Sequence, residues 1–275
     1  MSEKKAVNRR TFISQGAKLA AGTTALGILG MSSEVSAKEN KSVYDEPAQY
    51  GMPRNQVNLV KMKTGLVVID PQVDFLSPSG VSWPVMKESI TENKTVEHIE
   101  ALFKAAKEVD IPVVISPHYY YPTDNGWEFG GPGEHFMHDT GMFKRQGQYT
   151  MEGFENSGAD FMPEFKKYIF DGKTIIASPH KIFGPESNDV ILQLRKRGVQ
   201  QILLAGMAAN LCVESHMREF IEQGFEVIVI KDATAGPKIP EGDGYLAALT
   251  NYRIIASDLW TTDKAVSELR KMKSF

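Results

Sequence analysis

The sequence predicts an α/β fold, a doubly wound and mainly parallel six-stranded sheet with helices on both faces. Short continuous apolar runs such as Leu66-Val67-Val68-Ile69 suit strands buried on both sides of a parallel sheet. Segments of helical period alternate with those runs, and such alternation implies right-handed crossovers. The chain has 275 residues, 42% hydrophobic and 24% charged, which argues against disorder and against collagen-like or coiled-coil fibres. Its 31 Lys and Arg against 34 Asp and Glu leave a formal charge of −3, so it carries no electrostatic footprint for nucleic acid.

The elements are expected in this order. Residues 65–70 form the first strand, ending in Asp70. A helix covers 95–108, with Val96, Ile99, Leu102, Phe103 and Ala106 on one face. Residues 112–116 read as a second strand and 174–178 as a third. A helix over 189–196 follows, with Val190, Ile191 and Leu194 as its apolar stripe. Residues 201–206 make a fourth strand, 212–223 a helix closed by Gly224, and 225–230 a fifth strand. A short helix at 245–249, a sixth strand at 253–256 and a helix over 262–272 complete the domain, which spans 64–275. The segment from about 119 to 173 has no clear period. A stretch that long is either a lid or binding insertion, or a structural loop or oligomer contact.

The first 37 residues read as an address. A basic start is followed by a weakly apolar stretch from Leu19 to Met31, with Val35 and Ala37 at A-x-A-like positions. Asn8-Arg9-Arg10-Thr11-Phe12-Ile13 resembles the twin-arginine export motif. Cleavage is expected after Ala37, leaving a periplasmic or secreted protein whose partner in transit is the twin-arginine export machinery. The apolar stretch is too short and too rich in Gly and Thr for a stable membrane anchor across roughly 30 Å of hydrocarbon. Residues 38–63, with Pro47 and Pro53, are expected as an irregular N-terminal arm.

There is one cysteine, Cys212, so an intrachain disulfide is excluded. A lone thiol in an exported protein is either buried and inert or reactive. In a doubly wound sheet ligands bind at the carboxyl ends of the strands, and Asp70, His118, Lys181 and Cys212 all follow expected strand ends. A thiol needs a base, a cation or a helix N-terminus to favour thiolate. Cys212 has all three in prospect: Asp70 as general base, Lys181 as the positive charge, and the start of its own helix.

Three blocks carry a family resemblance. Val68-Ile69-Asp70-Pro71-Gln72-Val73-Asp74-Phe75 resembles the opening strand of the isochorismatase-like cysteine hydrolases. Lys181-Ile182-Phe183 followed by Ser187 to Leu194 resembles their lysine loop, and Gly206-Met207-Ala208-Ala209-Asn210-Leu211-Cys212-Val213-Glu214-Ser215 their nucleophile turn. The resemblance implies the isochorismatase-like fold, a catalytic triad of Asp70, Lys181 and Cys212, a covalent acyl-enzyme and cleavage of a small-molecule C–N bond. It further implies a cis peptide at Met207-Ala208, an oxyanion hole from the N–H groups of Ala208 and Cys212, a structural role for Asp74, and a homo-oligomer.

Nicotinamidases of this family hold a metal through Asp-x-His after the second strand. Here Ser116-Pro117-His118 stands in that place, and His135 and His138 fit no metal motif, so no cofactor and no obligatory metal is expected. His118 then either binds substrate or caps a loop. Tyr119, Trp127 and Phe183 are candidate substrate-binding residues. Together with Tyr120, Tyr121, Phe129 and Phe136, Tyr119 and Trp127 either wall a pocket or pack the insertion onto its own domain. Two other functions stand beside the amide or ureide hydrolase: isochorismate-type ether hydrolysis, whose enzymes lack the cysteine, and a non-catalytic small-molecule-binding or thiol-sensing protein on the same fold.

Overall fold

A computed structural model describes residues 42–272 of the chain. The export signal expected over 1–37 lies outside the described residues. The described residues belong to two units, the first ending at Asp45 and the second beginning at Glu46. Of the first, residues 42–45 are described, a turn closed by the Asp45 N–H on the Ser42 carbonyl (3.1 Å).

The second unit is built on strands β1 (Thr64–Ile69), β2 (Val113–Ser116), β3 (Ile175–Ile176), β4 (Gln201–Gly206), β5 (Glu226–Thr234) and β8 (Asp258–Trp260), with a small antiparallel hairpin, β6 (Lys238–Ile239) and β7 (Gly242–Asp243). The six form one sheet in the order β3-β2-β1-β4-β5-β8, and every neighbouring pair is parallel. Two halves wind outward from β1 and β4, so the point where strand order reverses lies between the carboxyl ends of these two strands. Every residue of β1, β2 and β4 is buried, as continuous apolar runs require.

Nine helices cover the sheet among the described residues: α1 (Val73–Leu76), α2 (Trp83–Asn93), α3 (Thr95–Val109), α4 (Pro132–Thr140), α5 (Pro163–Ile169), α6 (Val190–Lys196), α7 (Glu214–Glu222), α8 (Gly244–Ile255) and α9 (Thr262–Lys271). Helix α3 buries Ile99, Leu102, Phe103 and Ala106 with Leu66, Val68, Ile115, Leu203 and Ile228 in one core cluster. That cluster also takes in Ala265 and Leu269 of α9. None of the helices is long and apolar enough to cross a membrane.

The sixth strand is Asp258–Trp260, not 253–256. Tyr252 is buried and Ile254 exposed, so α8 runs on as an amphipathic helix through Ile255 before Leu259 and Trp260 enter the sheet. Helix α2, which the apolar period did not predict, starts with Pro at its second position and ends on Lys94 in the left-handed conformation. The 119–173 segment also has regular structure of its own, α4 and α5. Its Tyr120, Met137, Phe143, Phe161 and Phe165 belong to the main core cluster.

Residues 46–60 carry no helix or strand, but they are tied down. Gln201 Nε2 donates to the Asn58 carbonyl (2.9 Å), the Val60 N–H donates to Gln201 Oε1 (2.8 Å), and Arg54 meets Asp258 at 3.6 Å.

Candidate active site

Asp70 follows β1 with φ +46°, a left-handed conformation that Asp accepts at lower cost than branched residues. Its N–H donates to the Ser116 carbonyl at the end of β2 (3.0 Å). At the end of β4, Gly206 adopts φ +115°, and a Cβ there would run into the Ile69 carbonyl oxygen. Glycine is what lets the two strand ends approach this closely.

The Met207-Ala208 peptide is cis. The Ala208 carbonyl then accepts from Leu211 (3.0 Å) and Val213 (3.2 Å), closing a wide turn over Ala209–Val213. Cys212 sits inside this turn, and the regular helix α7 begins at Glu214 rather than at Cys212. The five-residue span of the Val213 bond marks the turn as a π-type bulge, a local form an apolar period does not reveal.

One donor atom from each of Asp70, His118, His180 and Cys212 lies within 4.8 Å of one from every other. All four side chains are buried; Asp70 and the two histidines are 0% exposed and Cys212 2%. A hydrogen bond of 2.7 Å joins His180 Nε2 to Asp70 Oδ1, and with Asp70 ionised the histidine is the donor. The backbone N–H groups of Ala208 and Cys212 lie toward the sulfur, where they favour its ionised form.

Lys181 does not stand beside Asp70. Its Nζ is 2.5 Å from Asp124 Oδ2 and 3.6 Å from the centroid of the Tyr121 ring, both within the 119–173 segment. The cause is the local backbone. His118 and His180 form a parallel bridge that prolongs the β2 and β3 pairing, and the His180 N–H donates to the Pro117 carbonyl (3.0 Å). Along extended chain, successive side chains point to opposite sides, so with His180 turned to Asp70 the next residue, Lys181, turns away. His180 holds the position beside the carboxylate that the sequence had suggested for the lysine.

Burial pushes the Cys212 thiol well above its ordinary pKa, and the neighbouring Asp70 charge and hydrogen bond push it further. The two backbone N–H groups pull it down, but by less. The resting group is therefore a thiol and not the thiolate that the helix start and a nearby cation led one to expect. Burial also raises Asp70, opposed by the charge and hydrogen bond of His180 and by the hydrogen bond of Cys212. His118 is held well below its usual value by burial and then by His180, so its ring is neutral.

Several supporting residues had no sequence signal beyond their proximity to the motifs. Gln72, fully buried, donates through Nε2 to the carbonyls of His118 (2.9 Å) and Ala159 (2.8 Å) and accepts the His118 N–H (2.8 Å). It fastens the end of β1 to the end of β2 and to the 119–173 segment. His216, one helical turn after Cys212, places Nδ1 2.7 Å from the Cys212 carbonyl and Nε2 2.8 Å from Ser116 Oγ. Asn188 Nδ2 donates to the same hydroxyl (2.7 Å). Ser116 is thus engaged by His216 and Asn188, and the Asp-x-His metal arrangement of the nicotinamidases does not fit these residues. Asp74 accepts the Phe143 N–H (2.7 Å) and braces the loop behind the site.

Of the residues expected to touch substrate, His118 reaches the cysteine, stacked on Phe143 at 4.8 Å between centroids. Tyr119 is buried against Phe154 (5.7 Å) with Arg145 over its ring (5.0 Å). Trp127, exposed, stands edge-on to Tyr120 at 5.8 Å, and Phe183 packs on the margin of the core cluster. His138 packs on Tyr120 at 4.2 Å, and neither it nor His135 joins the Cys212 cluster.

A cysteine after β4 facing an aspartate after β1, across the strand-order reversal of a doubly wound parallel sheet, defines an α/β cysteine hydrolase site. A profile of the Isochorismatase domain matches residues 64–263, and the chain belongs to that family. Curated relatives include the ureidoacrylate amidohydrolase RutB of Stutzerimonas stutzeri, 24% identical over 206 residues, covering 73% of this chain and 82% of that protein. RutB of Pseudomonas savastanoi is 27% identical over 224 residues, covering 75% of this chain and 86% of its own. Among solved structures, a cysteine hydrolase from Pseudomonas syringae superposes with a TM-score of 0.67 at 18% identity, covering 81% of this chain and all of that one. N-carbamoylsarcosine amidase from Thermoplasma acidophilum gives 0.52 at 18% identity, covering 73% and 97%.

Proposed function

We propose that the protein is an exported amidohydrolase that cleaves a small amide or ureide through a covalent acyl-enzyme, with Cys212 as nucleophile and Asp70 as proton shuttle. The enzyme acts on C–N bonds other than peptide bonds. The observation that carries this reading is the meeting of the Cys212 thiol and the Asp70 carboxylate at the strand-order reversal, with the backbone N–H groups of Ala208 and Cys212 beside the sulfur. Because the thiol rests protonated, attack and proton transfer are coupled: Asp70 takes the proton as Sγ bonds the carbonyl carbon. The developing oxyanion falls to the N–H groups of Ala208 and Cys212. Asp70 passes its proton to the leaving nitrogen, then draws one from the water that hydrolyses the thioester. His180 holds Asp70 in place throughout. The RutB and carbamoylsarcosine amidase likenesses support a substrate whose scissile bond belongs to a ureide.

The test is ammonia release across a panel of small amides and ureides, nicotinamide included, with Cys212→Ala as control. Release lost in the variant supports the reading. No release, joined to alkylation of Cys212 at the slow rate of a buried inert thiol, favours the non-catalytic binding or sensing protein, which the deep burial of Cys212 would suit. Cys212 itself speaks against isochorismate-type ether hydrolysis. The reading includes twin-arginine export and a homo-oligomer. Mass spectrometry of the exported protein should find Lys38 as its first residue, and light scattering should give more than one subunit's mass.

A further inference from the structure

We propose that Cys212, His118, His180 and Asp70 form a binding site for a soft divalent cation of the zinc class, and that the cation switches the thiol off. Cys sulfur, imidazole nitrogen and carboxylate oxygen are the ligand types zinc takes, and hard cations such as Mg2+ prefer all-oxygen sites. Four such donors lie within 4.8 Å of one another. In a tetrahedral zinc site the ligand atoms stand roughly 3.3–3.7 Å apart, so contraction by about 1 Å at the widest pair, a change in side-chain rotamer, completes the shell.

A second observation points to a ligand. Asp70 Oδ2, His118 Nδ1 and His180 Nδ1 are buried without a hydrogen-bond partner. Buried polar atoms are ordinarily satisfied, and three orphans in one four-residue cluster mark a place that has donors to spare. The site shares His118 with the Asp-x-His position of the nicotinamidases but differs otherwise, because it uses the cysteine, the aspartate after β1 and His180 and takes nothing from Ser116. His180 makes it possible by standing where a lysine would repel the ion.

Binding exchanges the thiol proton for the metal: Cys–SH and M2+ give Cys–S–M+ and a proton released to solvent, with no change of oxidation state. The same ion occupies Asp70, so nucleophile and base are withdrawn together. This loss of activity rests on the reading of Cys212 as the nucleophile; the coordination does not.

The experiment uses the chelator-stripped mature protein. Cobalt(II) should give a thiolate-to-metal charge-transfer absorption in the near ultraviolet, absent from Cys212→Ser. Zinc at about 100 times its Kd should slow alkylation of Cys212 by iodoacetamide about 100-fold, and Mg2+ should not. His118→Ala and His180→Ala should each weaken zinc by at least about tenfold. Since the cobalt spectrum and the alkylation rate of the unaltered chain need no variant and no substrate, they stand even if a variant fails to fold or no amide is cleaved. A cobalt complex without the sulfur band, or an alkylation rate unmoved by excess zinc, overturns the site. Zinc that raises amide hydrolysis instead of abolishing it overturns the switch while leaving the site.

Discussion

His180 and Lys181 are adjacent, and the two histidine and lysine roles separate on a single alternation of the extended chain. His180 Nε2 is bound to Asp70 Oδ1 at 2.7 Å, whereas Lys181 is paired with Asp124 at the partly buried rim. His180→Ala should therefore lower kcat by about 100-fold, because Asp70, the proton-transfer group, loses the partner that orients it. Lys181→Ala should lower kcat by less than about tenfold and act on KM instead, because its partner lies outside the reacting group. Steady-state kinetics of the two variants on whichever amide the panel identifies separates them, and a reversed order would return the lysine to the triad. At this scale the sequence was legible for Asp70 and Cys212, which each follow a strand end, and for His118. It was not legible for His180, since which of two neighbours faces inward depends on where β3 and its prolongation set the alternation.

The 119–173 segment shows how far an element can depart from its sequence signature. Its apolar residues have no strand or helix period of any length, because α4 and α5 are short and joined by irregular chain. Even so, Phe165 of α5 is fully buried with its ring 5.5 Å from Phe103 of α3, and Phe143 is fully buried against Phe75 at 5.0 Å. The segment's inner side is part of the domain core and not a detachable lid. Phe165→Ala should cost about 3–5 kcal/mol of stability, in the range of aromatic truncations in a core. Urea denaturation should show this as one cooperative transition moved to lower midpoint; loss of under about 1 kcal/mol would mean the segment packs loosely. Strands and long helices were recoverable from period alone, as β4 and α3 illustrate. The end of α8 was not, since Arg253-Ile254-Ile255 carries β-branched residues that a helix tolerates once Tyr252 and Leu249 are packed beneath it.

Across the whole molecule, the arm after residue 45 is held to the body of the sheet by charge. Burial alone would raise the Glu46 carboxyl, but hydrogen bonds from Lys231 (2.6 Å) and Tyr50 (2.6 Å), with the charges of Lys231 and Arg253, hold it down at about 2. A carboxyl lowered in the folded state contributes stability above its unfolded value, near 4.5, and loses it as pH falls from there through 2. The stability difference between the natural chain and Glu46→Gln should accordingly be present at pH 7 and vanish between pH 4.5 and 2, measured by thermal denaturation across that range. A difference that persists at pH 2 would mean that Glu46 acts through packing. The sequence by itself determined the fold class, because continuous apolar strands alternating with amphipathic helices bury their faces in a parallel sheet covered by helices, and it set Asp70 and Cys212 after β1 and β4. Only the tertiary structure decided which groups meet there. The close approach of Asp70, His118, His180 and Cys212 depends on strands far apart in the chain, on the Gly206 crossing and on the phase of one extended segment, and none of these leaves a periodic trace in the sequence.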